Sequence, residues 1–85
     1  MYFILIGKYQ KIIFIISRSI CYFNLNNFSN ALSDAQNCIK FKNDFAKGYQ
    51  RQGAAYFKLN KTWDALCSYS IAFLYDPNSE PIKTE

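Results

Sequence analysis

A chain of 85 residues is one small domain at most, and a make-up that is 51% hydrophobic and 19% aromatic, with eight Phe, seven Tyr and one Trp, excludes a disordered segment. The formal charge of +4 is spread over isolated Lys and Arg residues with no aromatic-basic repeat, so it reads as a solvated surface and not as a nucleic-acid footprint. Cys21, Cys38 and Cys67 are odd in number, lack a CxxC spacing and have no His beside them; that excludes a zinc site and a disulfide framework, and predicts reduced, buried thiols in the cytoplasm.

The opening stretch, MYFILIGKYQKIIFII, is apolar but broken by Gly7, Lys8, Gln10 and Lys11, and Arg18 closes it. No uninterrupted apolar run approaches the roughly 18 residues of a membrane span. The lysines fall inside the apolar block, where a signal peptide carries them before it. Residues 1–11 are therefore set apart as an apolar basic N-terminal segment, either a substitute cap or sequence foreign to the domain. An interfacial membrane segment over residues 2–16 is the competing and disfavoured reading.

Four helices are predicted beyond it, at about 12–25, 28–41, 46–59 and 62–75. The first meets a conflict, because Ile12 to Ile16 is β-branched and aromatic and its local propensity favours a strand. A duplication overrules that propensity. YFNLNNFSNAL (22–32) and YFKLNKTWDAL (56–66) share six of eleven residues at an offset of 34, the period of a stacked helix-turn-helix array of the tetratricopeptide class.

The duplication also assigns roles. Small residues recur where two helix axes approach: Ser19 and Gly53, Ala31 and Ala65, Cys38 and Ala72. The expected core is Tyr22, Leu25, Phe28, Leu32 and Ile39 in unit one, and Tyr56, Leu59, Leu66, Tyr69 and Phe73 in unit two. Each first helix ends at an Asn-containing turn. Asn43 is expected to leave the second helix in a left-handed conformation, with Asp44 capping the third. Pro77 ends the fourth helix. The fold expected is all-α, an α-α superhelix of about two tetratricopeptide helix-turn-helix units, with unit one at 12–45, unit two at 46–79 and a loose tail at 80–85. Trp63, Phe73 and Tyr75 have no following helix to cover them, which predicts an apolar patch and self-association or a partner.

Little here suggests an enzyme. There is no His, no Gly-rich phosphate loop and no nucleophile motif, and the acids stand singly at Asp34, Asp44, Asp64, Asp76, Glu80 and Glu85. No cofactor and no metal are implied. The notable pair is Lys47 and Arg51 in FAKGYQRQGAAYF. Cations at i and i+4 share a helix face about 5–6 Å apart and repel unless an anion lies between them. On the residues alone, a solubilising pair on an exposed face is the favoured reading.

The stretch SRSICYFNLNNFSNALSDAQNCIKFKNDFAKGYQRQGAAYFKLN, from Ser17 to Asn60, resembles the tetratricopeptide domains of co-chaperones, most closely the first such domain of the Hop (stress-inducible phosphoprotein) type. That resemblance implies a concave groove whose cationic and amide side chains grip the carboxylates of a heat-shock chaperone's EEVD-type C-terminal peptide. It assigns peptide carboxylate binding to Lys47, Arg51 and Ser17. Ser17 stands where the family has Asn, and the lysine and asparagine of the family's first helix have no counterpart. At about 1–1.5 kcal/mol per hydrogen bond, the reduced clamp is expected to bind on the order of 10² to 10³ more weakly. The alternative is a structural repeat that self-associates or pairs with other helical repeats without peptide recognition.

Overall fold

The computed structural model describes residues 2–78, with side chains from Gln10 onward. The tail expected at 80–85 lies outside the described residues, as do the side chains of most of the 1–11 segment. Four α-helices run in chain order: α1 (Tyr2–Asn24), α2 (Phe28–Phe41), α3 (Ala46–Lys58) and α4 (Thr62–Tyr75). Each packs on the next, and α1 also meets α3. The result is two helix-turn-helix pairs, the all-α architecture that the period implies.

Ile12 to Ile16 is helical and not extended. The burial pattern gives the reason: Ile12 and Ile16, four apart, are 3% and 8% exposed, whereas Ile13 and Phe14 face outward. That is a helical period, and the covered stripe outweighs β propensity. The helix also begins at Tyr2, ten residues before the expected start. Nothing in that stretch stops it, since an interior Gly7 costs only about 1 kcal/mol. Among the described residues no helix is long and apolar enough to cross a membrane.

The repeated Asn residues close α1 and α3 in the same way. Asn26 and Asn60 take φ of 64° and 65°. In unit one the Asn27 N–H donates to the Tyr22 carbonyl at 2.8 Å and the Asn26 N–H to that of Phe23 at 3.0 Å; Lys61 with Tyr56 and Asn60 with Phe57 repeat both distances. This pair of bonds is the Schellman closure, which needs a residue that tolerates the left-handed region.

The link from α2 to α3 departs from expectation. Asn43 does not adopt a positive φ; α2 closes through extended Lys42, whose N–H donates to the Cys38 carbonyl. Nor does Asp44 cap α3. The N-cap is Phe45, with no side-chain cap bond, and the Asp44 carboxylate instead meets Lys42 Nζ at 2.6 Å, which holds its pKa below the usual range. The fourth helix stops at Tyr75, one residue before non-helical Asp76 and two before Pro77.

Small residues fill the centre. Ser19, Ala31, Cys38, Gly53, Ala65 and Ala72 are all buried, as their matched positions predict. Ser19 Oγ donates to the Ala31 carbonyl at 2.7 Å, so its hydroxyl is buried without loss. Three expected core residues are not core: Leu25, Leu66 and Phe73 are 75%, 48% and 55% exposed. Leu25 lies in the α1–α2 turn, and Leu66 and Phe73 lie on the side of α4 turned away from α3. Tyr22, Phe28, Leu32, Ile39, Tyr56, Leu59 and Tyr69 are half-buried around the small-residue centre.

The thiols also divide. Cys38 is buried, but Cys21 and Cys67 are exposed. Cys21 matches buried Ala55 of α3; α3 is sandwiched between α2 and α4, whereas among the described residues α1 has α2 on one side and no equivalent helix on the other.

Burial, reinforced by the Asp34 charge, pushes the Cys38 thiol up to about 11 from an ordinary 9.0. A folded value above the unfolded one favours the native state while the thiol is protonated. This contribution is intact below about pH 9 and is lost as pH rises through about 11, a change of about 2–3 kcal/mol. Urea midpoints should therefore fall between pH 8 and pH 10.5, and less so in Cys38→Ala. Tyr49 and Tyr69, also raised mainly by burial, act with the same sign, so the difference between the two proteins is the measurement. Equal slopes would refute the assignment to Cys38.

Candidate carboxylate-binding face

Helix α3 is held at a defined rotation by side chains on its covered sides. Gln52 Nε2 donates to Ser68 Oγ on α4 at 2.7 Å. Tyr56 Oη accepts from Gln36 Nε2 on α2 at 3.2 Å, and Tyr49 Oη donates to the Asn43 carbonyl at 2.9 Å. Gly48, Gly53 and Ala55 are its buried residues. Helical geometry then leaves the remaining side to Lys47, Arg51 and Ala54.

Lys47 is exposed and Arg51 half-buried. Lys58, seven residues after Arg51, falls on the same side and is exposed; it lengthens the basic stripe by two turns. Sequence reasoning passed over Lys58, although its i+7 spacing was the available signal.

Among the described residues, the acids that could neutralise this stripe are engaged or elsewhere. Arg18 Nε and Nη2 grip the two oxygens of buried Asp34 at 2.9 and 3.0 Å, tying α1 to α2. Asp44 is taken by Lys42. Among the described residues Lys47, Arg51 and Lys58 have no ion-pair partner.

Arg51 has the most informative surroundings. Its Cζ lies 5.2 Å from the centre of the Phe23 ring on α1, a cation-π stack across the α1–α3 contact. Its Nε is buried without a hydrogen-bond acceptor. Burial lowers its pKa, with Tyr69 acting in the opposite direction, yet a guanidinium keeps its charge in a protein. The group is thus a positioned cation, pinned by an aromatic ring and lacking a carboxylate. The role of Phe23 was missed because a stack between helices has no local sequence signal.

Ser17 lies on exposed α1 surface, one turn from exposed Ile13 and three residues from Ile20. Among the described residues no hydrogen bond joins it to either cation. Lys47 and Arg51 share a face of one helix; Ser17 sits on the neighbouring helix that Arg51 reaches through Phe23. No group of three metal-ligating side chains occurs among the described residues.

Two packed helical hairpins with a cationic stripe on one helix define an all-α module of helix-turn-helix pairs. No family model matches the chain. It is 39% identical over 67 residues to Heat shock protein STI1 of Saccharomyces cerevisiae, which covers 79% of this chain and 11% of that protein. Identity is 38% over 66 residues to Hsp70-Hsp90 organizing protein 2 of Arabidopsis thaliana, covering 78% and 12%, and 35% over 66 residues to Hsp70-Hsp90 organizing protein of Triticum aestivum, covering 78% and 11%. The chain is homologous to a short segment of the Hop/STI1 co-chaperones, as the stretch from Ser17 to Asn60 implies. It spans about a tenth of the length of these relatives.

Proposed function

We propose that the chain is a non-enzymatic, cytoplasmic binding module of tetratricopeptide type, with units over 12–45 and 46–79, and that it takes up the acidic EEVD-type C-terminal peptide of a heat-shock chaperone. Lys47 and Arg51 grip the peptide carboxylates, with Ser17 at the margin of the contact. The observation that carries this reading is Arg51, a half-buried guanidinium stacked on Phe23 that has no acidic partner among the described residues. A planar fork of donors suits a carboxylate, and Lys47 adds a compact charge one turn away. Homology to proteins named as organizers of Hsp70 and Hsp90 supplies the partner class.

Two charge-assisted contacts of about 1.5–3 kcal/mol each come near the roughly 4 kcal/mol of a millimolar complex, so the binding is weak. The direct test is amide chemical-shift titration with a peptide ending in EEVD, beside the same peptide carrying a C-terminal amide. Saturable shifts along α3 with the free acid, and much smaller shifts with the amide, are expected. No shift at millimolar peptide would defeat the proposal.

A further inference from the structure

The two units differ on the outer face of their second helix. In α2, Ser29, Ser33 and Lys40 are exposed, as suits solvent. The matching residues of α4 are Trp63, Cys67 and Leu74, all exposed, with Trp63 at 81% and Leu74 at 72%. Trp63 and Leu74 are large and apolar and Cys67 is small and apolar, and all three stand where the duplicated helix is polar.

A further helix stacked on α4 as α3 stacks on α2 does not explain them. The α2 groups turned toward α3 are Gln36, bonded to Tyr56, and Ile39, whose Cγ1 lies 3.0 Å from where a Gly48 Cβ would stand. Their equivalents on α4 are Ser70 and Phe73. Repeating that packing covers Phe73, reaches Ser70 at the border of the outer face, and leaves Trp63, Cys67 and Leu74 in water, as α3 leaves Ser29, Ser33 and Lys40.

Trp63, Cys67, Ser70 and Leu74 follow each other at spacings of four, three and four, a heptad-spaced seam about three turns long. Read backwards, the seam maps onto itself: Trp63 falls on Leu74 and Cys67 on Ser70. Small residues hold the middle and large ones the ends, which suits two helices that cross at an angle, closest at the centre and splayed beyond it. The charges fit the same arrangement. Lys61 at the N-cap and Asp76 at the C-cap of α4 both oppose the dipole of their own helix. An antiparallel neighbour brings each beside the end that favours it, with Lys61 near the partner's Asp76 and the reverse at the other end.

We propose that a second copy of this chain docks antiparallel on the outer face of α4, through an isologous contact centred between Cys67 and Ser70. A helix of 14 residues is about 21 Å long. One such seam buries less than the roughly 1,200 Å² of a stable complex, so the dimer is weak and concentration-dependent.

Sedimentation equilibrium of the 85-residue chain, from about ten micromolar to about one millimolar in reducing buffer, tests this. The reductant prevents exposed Cys21 and Cys67 from cross-linking. The expected result is a reversible monomer-dimer equilibrium that Leu74→Glu abolishes with its helical circular dichroism unchanged. Lys61→Glu and Asp76→Lys should each weaken it about threefold to tenfold, and together restore it. A chain that stays monomeric throughout would leave the seam to a partner of other sequence and overturn the proposal. So would a dimer that survives Leu74→Glu, or charge reversal without recovery.

Discussion

Replacing Arg51 with alanine is expected to weaken capture of an EEVD-ending peptide by about 10- to 100-fold while leaving the helical fold intact. Removing a charge-assisted hydrogen-bond donor costs about 1.5–3 kcal/mol, and each 1.4 kcal/mol is a factor of ten. The stability side of the experiment separates a binding role from a structural one. Arg51 buries Nε without an acceptor in the free protein, an arrangement that costs folding free energy; its stack on Phe23 at 5.2 Å offsets part of that. The urea midpoint of Arg51→Ala should therefore stay close to the parent value.

Arg51→Lys should recover little, because an ammonium supplies neither the planar fork nor the same stack. Lys47 is exposed and screened by solvent, so Lys47→Ala should cost less, about threefold to tenfold, and its share should shrink as salt is raised from about 0.05 to 0.5 M. Titrations in which Arg51→Ala binds as well as the parent would remove the carboxylate-binding reading of this face. Loss of binding together with a collapsed urea transition would show that Arg51 acts through folding.

The second large effect belongs to Gly53. A Cβ built there would stand 3.0, 3.1 and 3.2 Å from Tyr69 Cδ1, Cε1 and Cγ. The glycine is present because α3 and the Tyr69 ring of α4 press together at this point, not because of its φ, which is negative. Gly53→Leu drives a full side chain into that ring and is expected to cost about 1–3 kcal/mol or more. For 85 residues, total stability is only about 4–13 kcal/mol.

Gly53→Ala should come out near neutral, since about 1 kcal/mol gained in helix propensity offsets a small displacement of the ring. The mechanism predicts coupling. Tyr69→Ala should relieve much of the Gly53→Leu penalty, so that the double variant is more stable than the sum of the single effects. Urea unfolding followed by circular dichroism measures all four proteins. A Gly53→Leu protein with the parent midpoint would refute the contact.

The helices and their order could be read before any coordinates because the signals are local and duplicated. The offset of 34 repeats Tyr22 at Tyr56, Ala31 at Ala65 and Asn26 at Asn60, and each type suits one position: small at the close approach, Asn at the left-handed turn. That repetition made Ile12 to Ile16 a helix despite its strand propensity. Lys47 and Arg51 could be paired for the same reason, since i and i+4 spacing places them on one face without reference to anything else.

Burial was another matter. Leu25, Leu66 and Phe73 are as apolar as any core residue, yet they lie exposed, while Ala35 and Ala55 are at 0%. Cys21 and Ala55 hold matching positions and differ because, among the described residues, α3 is flanked on two sides and α1 on one. The placement of Arg51 over Phe23 and the exposure of Trp63, Cys67 and Leu74 depend on which helix covers which face. Helical period and turn chemistry act over a few residues and are written into the chain. Coverage is a property of neighbouring helices, and it exists once they are packed.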